Sequence, residues 1–344
     1  MSDIRFEGWL HRSGTGGVYQ DSAGNVGIAS TQPQTRLDIG NGGFQVGPTG
    51  IATVTTVNTT NLINATALTN RNLIINGAMQ VAQRGDTASV TSGYGGADRF
   101  KFDRDGATAV TLKQGGSGVS PVSEGFPNCQ HIDITTADTS MGSANYNMLT
   151  TRLEGYNLQG IQKGTANARE LTLSFYIKST VTGTYIVELV DQSNSARHVN
   201  KAYTVSASNT WEKKEITFPA DTTGTITSDH NRRLDINWWL GAGSTYNSGT
   251  LQTSWGSDTN ANRADGQVNE VNSASNDIMI TGVQLEVGSV ATPFEHRTHA
   301  DELKRCSRYY QKIAEGNQKA IALAYGYNAQ YLDWVLHNPM GPMR

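Results

Sequence analysis

Charged side chains are scarce in this 344-residue chain: Asp, Glu, Lys and Arg make up 17% of it, against about 25% in ordinary soluble domains. The formal net charge is only -3, and the Lys and Arg residues are dispersed. No basic stripe is present to neutralise phosphates, which excludes nucleic acid as a partner. Cysteine is nearly absent. Cys129 and Cys306 lie far apart, which rules out a disulfide framework or a zinc knuckle, and both read as small buried apolar residues. No apolar run approaches the roughly eighteen residues of a membrane span. The start, Met1-Ser2-Asp3-Ile4-Arg5, lacks the apolar segment of a signal peptide, so synthesis in a cytoplasm and no membrane insertion are expected.

Catalytic fingerprints are missing as well. The seven histidines form no HExxH or HxH pair, and no GxSxG, P-loop or dinucleotide motif occurs. The Gly-rich run Gln114-Gly115-Gly116-Ser117-Gly118 lacks the following helix and Lys of a phosphate cradle and reads as a loop. Scattered Asp and Asn offer oxygen ligands for calcium without a motif. Glu295, His296, His299, Asp301 and Glu302 cluster where a helix begins, and capping and the helix dipole account for them better than metal ligation. Arg84-Gly85-Asp86 spells the integrin tripeptide but reads as a turn. The expectation is a protein that is not an enzyme and needs no cofactor.

What the chain does have is Gly, 37 of them, with abundant Thr, Ser and Asn, residues of turns and strands. From 1 to 70 apolar residues come only in short bursts, too few to bury a core. Val18-Tyr19-Gln20 turns through Asp21 to Asn25 into Val26-Gly27-Ile28, and Phe44-Gln45-Val46 turns through Gly47 to Gly50 into Ile51. Such thin hairpins become stable when identical chains supply the missing core, which predicts a homotrimer. Residues 54 to 68 read as a short shaft, since coiled-coil core positions would include Asn61 and Asn64.

From Asn72 strand patterns recur at short intervals. Leu171, Leu173, Phe175 and Ile177 share one face of an alternating run to Lys178, and further strands are predicted at 184–190, 202–205, 211–218, 234–240 and 278–287. Without alternating helices this means an antiparallel sandwich over 71–297. A helix follows, capped by Thr298 with Leu303, Cys306, Tyr310 and Ile313 on one face and stopped by Gly316-Asn317. Apolar runs at 320–327 and 331–336 then give a terminal hairpin within the last segment, 298–344.

The aromatics mark the candidate site. In Leu234-Asp235-Ile236-Asn237-Trp238-Trp239-Leu240 the period of two sends Leu234, Ile236, Trp238 and Leu240 to the core and Asp235, Asn237 and Trp239 to the opposite face. Tyr176 leaves the core side of its own strand in the same way. Aromatic rings among hydrogen-bonding groups are what a sugar binds. Tyr246 and Trp255, in the loop that follows, complete the candidate glycan groove; the alternative is that Trp239 packs beneath that loop or a partner chain.

Two blocks carry a family resemblance. Asn72-Leu73-Ile74-Ile75-Asn76-Gly77-Ala78-Met79-Gln80-Val81-Ala82-Gln83-Arg84-Gly85 with Ala97-Asp98-Arg99-Phe100, and Gly282-Val283-Gln284-Leu285-Glu286-Val287 through Thr292-Pro293-Phe294-Glu295-His296-Arg297 into Cys306-Ser307-Arg308-Tyr309-Tyr310, resemble the receptor-binding region of bacteriophage tail-fibre proteins, especially those of marine and cyanobacterial hosts. The middle of the chain is similar in pattern to carbohydrate-binding jelly rolls. The resemblance implies an all-β protein: an extended virion-docking and shaft segment at 1–70, a jelly-roll β-sandwich at 71–297, then a helix and hairpin forming an abbreviated tip. It implies a virion tail appendage that attaches to host surface polysaccharide, with tail or baseplate proteins held through residues 1–70. A structural connector without receptor binding and a depolymerising tailspike are the alternatives.

Overall fold

The computed structural model describes residues 70–116 and 118–312 in full and, as backbone, strands at 8–10, 17–20, 26–28, 324–328 and 331–334. The chain divides into two units, Met1–Asn64 and Ala65–Arg344. In the first, β1 (Gly8–Leu10), β2 (Gly17–Gln20) and β3 (Val26–Ile28) form an antiparallel meander. The expected hairpin is present, with Val18 opposite Ile28 and Gln20 opposite Val26. The second expected hairpin at 44–51, the shaft at 54–68 and the helix stop at 316–317 lie outside the described residues.

The second unit is a jelly-roll sandwich. Its strands are β4 (Thr87–Val90), β5 (Gly93–Tyr94), β6 (Lys101–Asp105), β7 (Ala109–Gly115), β8 (Cys129–Thr136), β9 (Tyr146–Glu154), β10 (Leu171–Ser179), β11 (Gly183–Asp191), β12 (Arg197–Val205), β13 (Glu212–Phe218), β14 (Arg232–Ala242) and β15 (Asp277–Val287). One sheet has the order β13-β10-β15-β8-β7-β4 and the other β12-β11-β14-β9-β6-β5, all neighbours antiparallel. Leu171, Leu173, Phe175 and Ile177 of β10 face Leu234, Ile236, Trp238 and Leu240 of β14 in one core, as their alternation requires. Phe175 meets Trp238 edge-on, ring centres 5.8 Å apart. One-turn helix α1 (Ser244–Asn247) opens the long loop after β14, and α2 (His299–Ser307) follows β15. The terminal hairpin pairs β16 (Ala324–Asn328) with β17 (Tyr331–Trp334).

The two sequence blocks interlock. β15 pairs with β8 only as far as Ile280, and segment 72–77 takes over the rest of that edge. Leu73 N donates to Leu285 O at 2.9 Å and Val283 N to Gly77 O at 2.9 Å. Asn72 stands in for a strand residue, its Nδ2 donating to Val283 O at 3.0 Å and its Oδ1 accepting from Leu285 N at 3.2 Å. Gly77 is obligatory, because a Cβ there would lie 2.1 Å from Val283 O. Glu302 on α2 accepts from Asn76 N at 2.7 Å, and Arg297 bridges Glu302 and Ile74 O at 3.2 and 3.0 Å. Arg305 Nη2 donates to Asn70 Oδ1 at 3.1 Å. The sandwich is thus closed by a clasp that binds its first segment to its last helix.

Helix α2 starts as expected, Thr298 Oγ1 accepting from Asp301 N at 3.2 Å, but it ends at Ser307, so Tyr310 lies beyond it and not on its apolar face. Among the described residues no cluster of three or more His, Cys, Asp or Glu could hold a metal ion. Both cysteines are free and buried. Gly85 N donates back to Ala82 O at 3.1 Å, closing the turn expected at Arg84-Gly85-Asp86. Arg84 is engaged, its guanidinium 3.6 Å from the Tyr310 ring centre.

Candidate functional site

The period of two along β10 sends Tyr176 outward with Ser174 and Lys178. Opposite Tyr176 stand Lys213 on β13 and Thr281 on β15. Beside it, loop residues 118–128 lie across the outer face of the sheet, and three contacts hold them there. Phe126, 1% exposed, packs 5.3 Å from Tyr176, 5.0 Å from Phe294 and 5.3 Å from His296, ring centre to ring centre. Trp211 Nε1 donates to Val119 O at 2.9 Å, and Tyr176 Oη donates to Glu124 Oε2 at 3.2 Å. Gly282 permits the docking: its φ is +60°, and a Cβ would stand 2.7 Å from Phe126 Cζ. β15 bulges at this point.

The loop thereby builds one wall of an open trough of about 800 Å³, floored by half-buried Tyr176 and Trp211 and edged by Pro121, Val122, Glu124 and Lys213. A second hollow of about 520 Å³ continues past Tyr176, Glu124 and Lys213 to Phe294 and His296. Aromatic rings line both ends, and hydroxyl, ammonium and carboxylate groups stand between them. Chemically this arrangement can stack the apolar face of a ring and hydrogen-bond its hydroxyls.

Trp239 is not part of it. Tyr176 and Trp239 project from different sheets, away from a shared core, so the two sit on opposite outer faces of the sandwich. Nor is the Trp239 face open. The loop between β14 and β15 crosses it, with His198 N donating to Gly256 O at 3.0 Å, Asn200 N to Gln252 O at 2.8 Å and Val268 N to Thr184 O at 2.9 Å. Trp239 is 0% exposed and packs with Ile186 and Ala264. Tyr246 covers it, ring centres 5.4 Å apart, and Arg263 lies over both rings.

The polar members of that face are consumed within the chain. Asn237 Nδ2 donates to Glu188 Oε2 at 2.9 Å, and Arg263 donates to Glu188 through Nε at 2.7 Å and Nη2 at 2.8 Å. Burial alone would raise the Glu188 carboxyl, but Arg263 and Asn237 outweigh it and hold it below the usual carboxylate range. Burial lowers His198. Asp235 is buried, accepting from Arg232 and, at 2.9 Å, from Gln192. Trp255 packs on the main core, and its Nε1 donates to Pro219 O at 2.9 Å. Its ring lies 4.8 Å from Lys163 Nζ, which bridges Asp191 and Asp221 at 2.6 and 2.8 Å. Of the expected site residues, then, Trp239, Asn237, Asp235 and Tyr246 share the covered face, Trp255 is a packing residue, and Tyr176 alone lines the trough.

Trp211, Lys213, Glu124 and Phe126 escaped the sequence reading. Trp211 and Lys213 were within reach: in 211–218 they fall out of phase with Ile216 and Phe218, the core positions. Glu124 and Phe126 sit in an irregular loop whose landing place no periodicity marks.

No protein-family model and no curated protein matches the sequence. Among solved structures the chain is similar to the enzymatically active domain of tailspike protein 4 of bacteriophage CBA120, at 14% identity and a TM-score of 0.35, over 63% of this chain and 21% of that one. It is similar to the family 11 carbohydrate-binding module of a Clostridium thermocellum cellulosomal cellulase, at 13% identity and a TM-score of 0.30, over 60% and 97%. A family 4 carbohydrate-binding module gives 13% identity and a TM-score of 0.32, over 62% and 97%. This chain thus spans about a fifth of the length of that tailspike domain. Superpositions this loose carry no argument, and the sandwich assignment stands on the chain's own strand pairing.

Proposed function

We propose that this protein is a non-enzymatic, glycan-binding part of a virion tail fibre, attaching to host surface polysaccharide through the trough on the β13-β10-β15 face. The observation that carries the glycan reading is the pairing of half-buried Tyr176 and Trp211 with hydrogen-bonding neighbours in an open trough. The tail-fibre reading is supported by the two sequence blocks, which form the clasp around this sandwich. Each site would be weak, and several copies facing one cell surface would multiply it through effective concentration.

Adsorption of the full chain to host cells tests the reading. Tyr176→Ala and Trp211→Ala are each expected to weaken binding about tenfold or more, the size of one lost stacking contact together with a loosened loop contact, with the sandwich strands intact by circular dichroism. If the unaltered protein does not adsorb, a purely structural connector is the better account.

A further inference from the structure

We infer that the trough selects neutral glycans and discriminates against acidic polysaccharides; this deepens the glycan reading and rests on it. Among the described residues lining the two hollows, Lys213 is the only Lys or Arg. It is already committed: its Nζ lies 2.6 Å from Glu215 Oε1, directly along the strand. The hydrogen bond that Lys213 donates to Glu215 is the main cause that raises its ammonium, and the charge of Glu124 adds to it. Among the described residues Glu124 has no cation in bonding contact, only the Tyr176 hydroxyl.

The Lys213 charge is answered by Glu215 beside the trough, which leaves the Glu124 carboxylate as the lining charge without an ion pair among the described residues. A uronate or sialate in this trough would have to take Lys213 from Glu215 and lie against Glu124. Like charges at that range oppose binding. A neutral ring meets no such cost, and can stack on Trp211 and Tyr176 while its hydroxyls bond to Glu124, Ser174 and Lys213. Exposed charges are screened by salt, so the discrimination is sharpest at low ionic strength, whereas stacking of a neutral ring is insensitive to salt.

The test is affinity electrophoresis of the full chain in gels containing neutral polysaccharides (dextran, laminarin, galactomannan, xyloglucan) or acidic ones (alginate, polygalacturonate, hyaluronan). The expected result is retardation by at least one neutral polymer, abolished in Trp211→Ala and unaffected by salt, with acidic polymers bound at least about tenfold more weakly. Glu124→Gln, which keeps a hydrogen-bond acceptor for Tyr176, is expected to strengthen alginate binding by up to about fivefold at low salt, the worth of one exposed charge contact. Retardation by an acidic polymer that Trp211→Ala abolishes overturns the neutral selectivity and leaves the glycan reading standing. Retardation by none, together with no adsorption to host cells, overturns both.

Discussion

Glu270 is buried inside the sandwich, where its Oε2 accepts from Ser179 Oγ at 2.8 Å and from the Tyr185 hydroxyl, and no cation among the described residues pairs with it. Burial pushes its carboxyl up to about 8 from an ordinary value of 4.5. A group raised on folding binds its proton more tightly in the native state, so its contribution is full below about pH 4.5. It is lost as pH rises towards about 8, above which stability is level. Glu270→Gln is expected to flatten that decline, read by urea unfolding at acidic and mildly alkaline pH. Trp239 gives a second prediction at this scale. Fully enclosed by Tyr246, Ile186 and Ala264, it is expected to cost about 3–5 kcal/mol when cut to Ala, checked by the same denaturation, and Trp239→Phe is expected to leave glycan binding intact. Trp239 and Tyr176 show how far single residues were legible. Alternation correctly took both off the core side, but a period of two says nothing of what covers the far side. For Trp239 the cover is a Gly-, Ser- and Asn-rich loop whose path is set by backbone hydrogen bonds.

Among elements, the long alternating strands were the most legible, because burial on one face imposes a pattern that side chains must obey. β10, β11, β14 and β15 lie where the alternation placed them. The clasp was legible only as a pair of sequence blocks. What joins them is backbone bonding by Asn72 and Asn76 across more than two hundred residues, which no local signal encodes. Arg297 and Glu302, both with side chains under a tenth exposed, hold it. Arg297→Met strands two carboxylates, Glu295 and Glu302, and is expected to lower stability by about 3–5 kcal/mol and to open the segment around α2 to limited proteolysis. Gly282 couples element to site. Gly282→Ala places a methyl against Phe126 at a left-handed backbone position, and is expected to lift residues 118–128 and abolish glycan binding while the strands persist by circular dichroism.

For the whole molecule, the low charge density and the Gly, Thr, Ser and Asn content already pointed to an all-β protein, and the sandwich agrees. The homotrimer remains a proposal that rests on the thin amino-terminal strands. Sedimentation equilibrium of the full chain is expected to give three times the chain mass at micromolar concentration, and a folded monomer there would contradict it. The trough over β10 and β13 is the proposed ligand surface, and the Trp239 face is interior. Hydroxyl-radical footprinting of the full chain, with and without the host polysaccharide that adsorbs it, tests this most directly. Tyr176 and Trp211 are expected to be labelled in the free protein and protected by the glycan, with Trp239 unlabelled in both. Labelling of free Trp239 that the glycan suppresses, with Tyr176 and Trp211 unchanged, would contradict it.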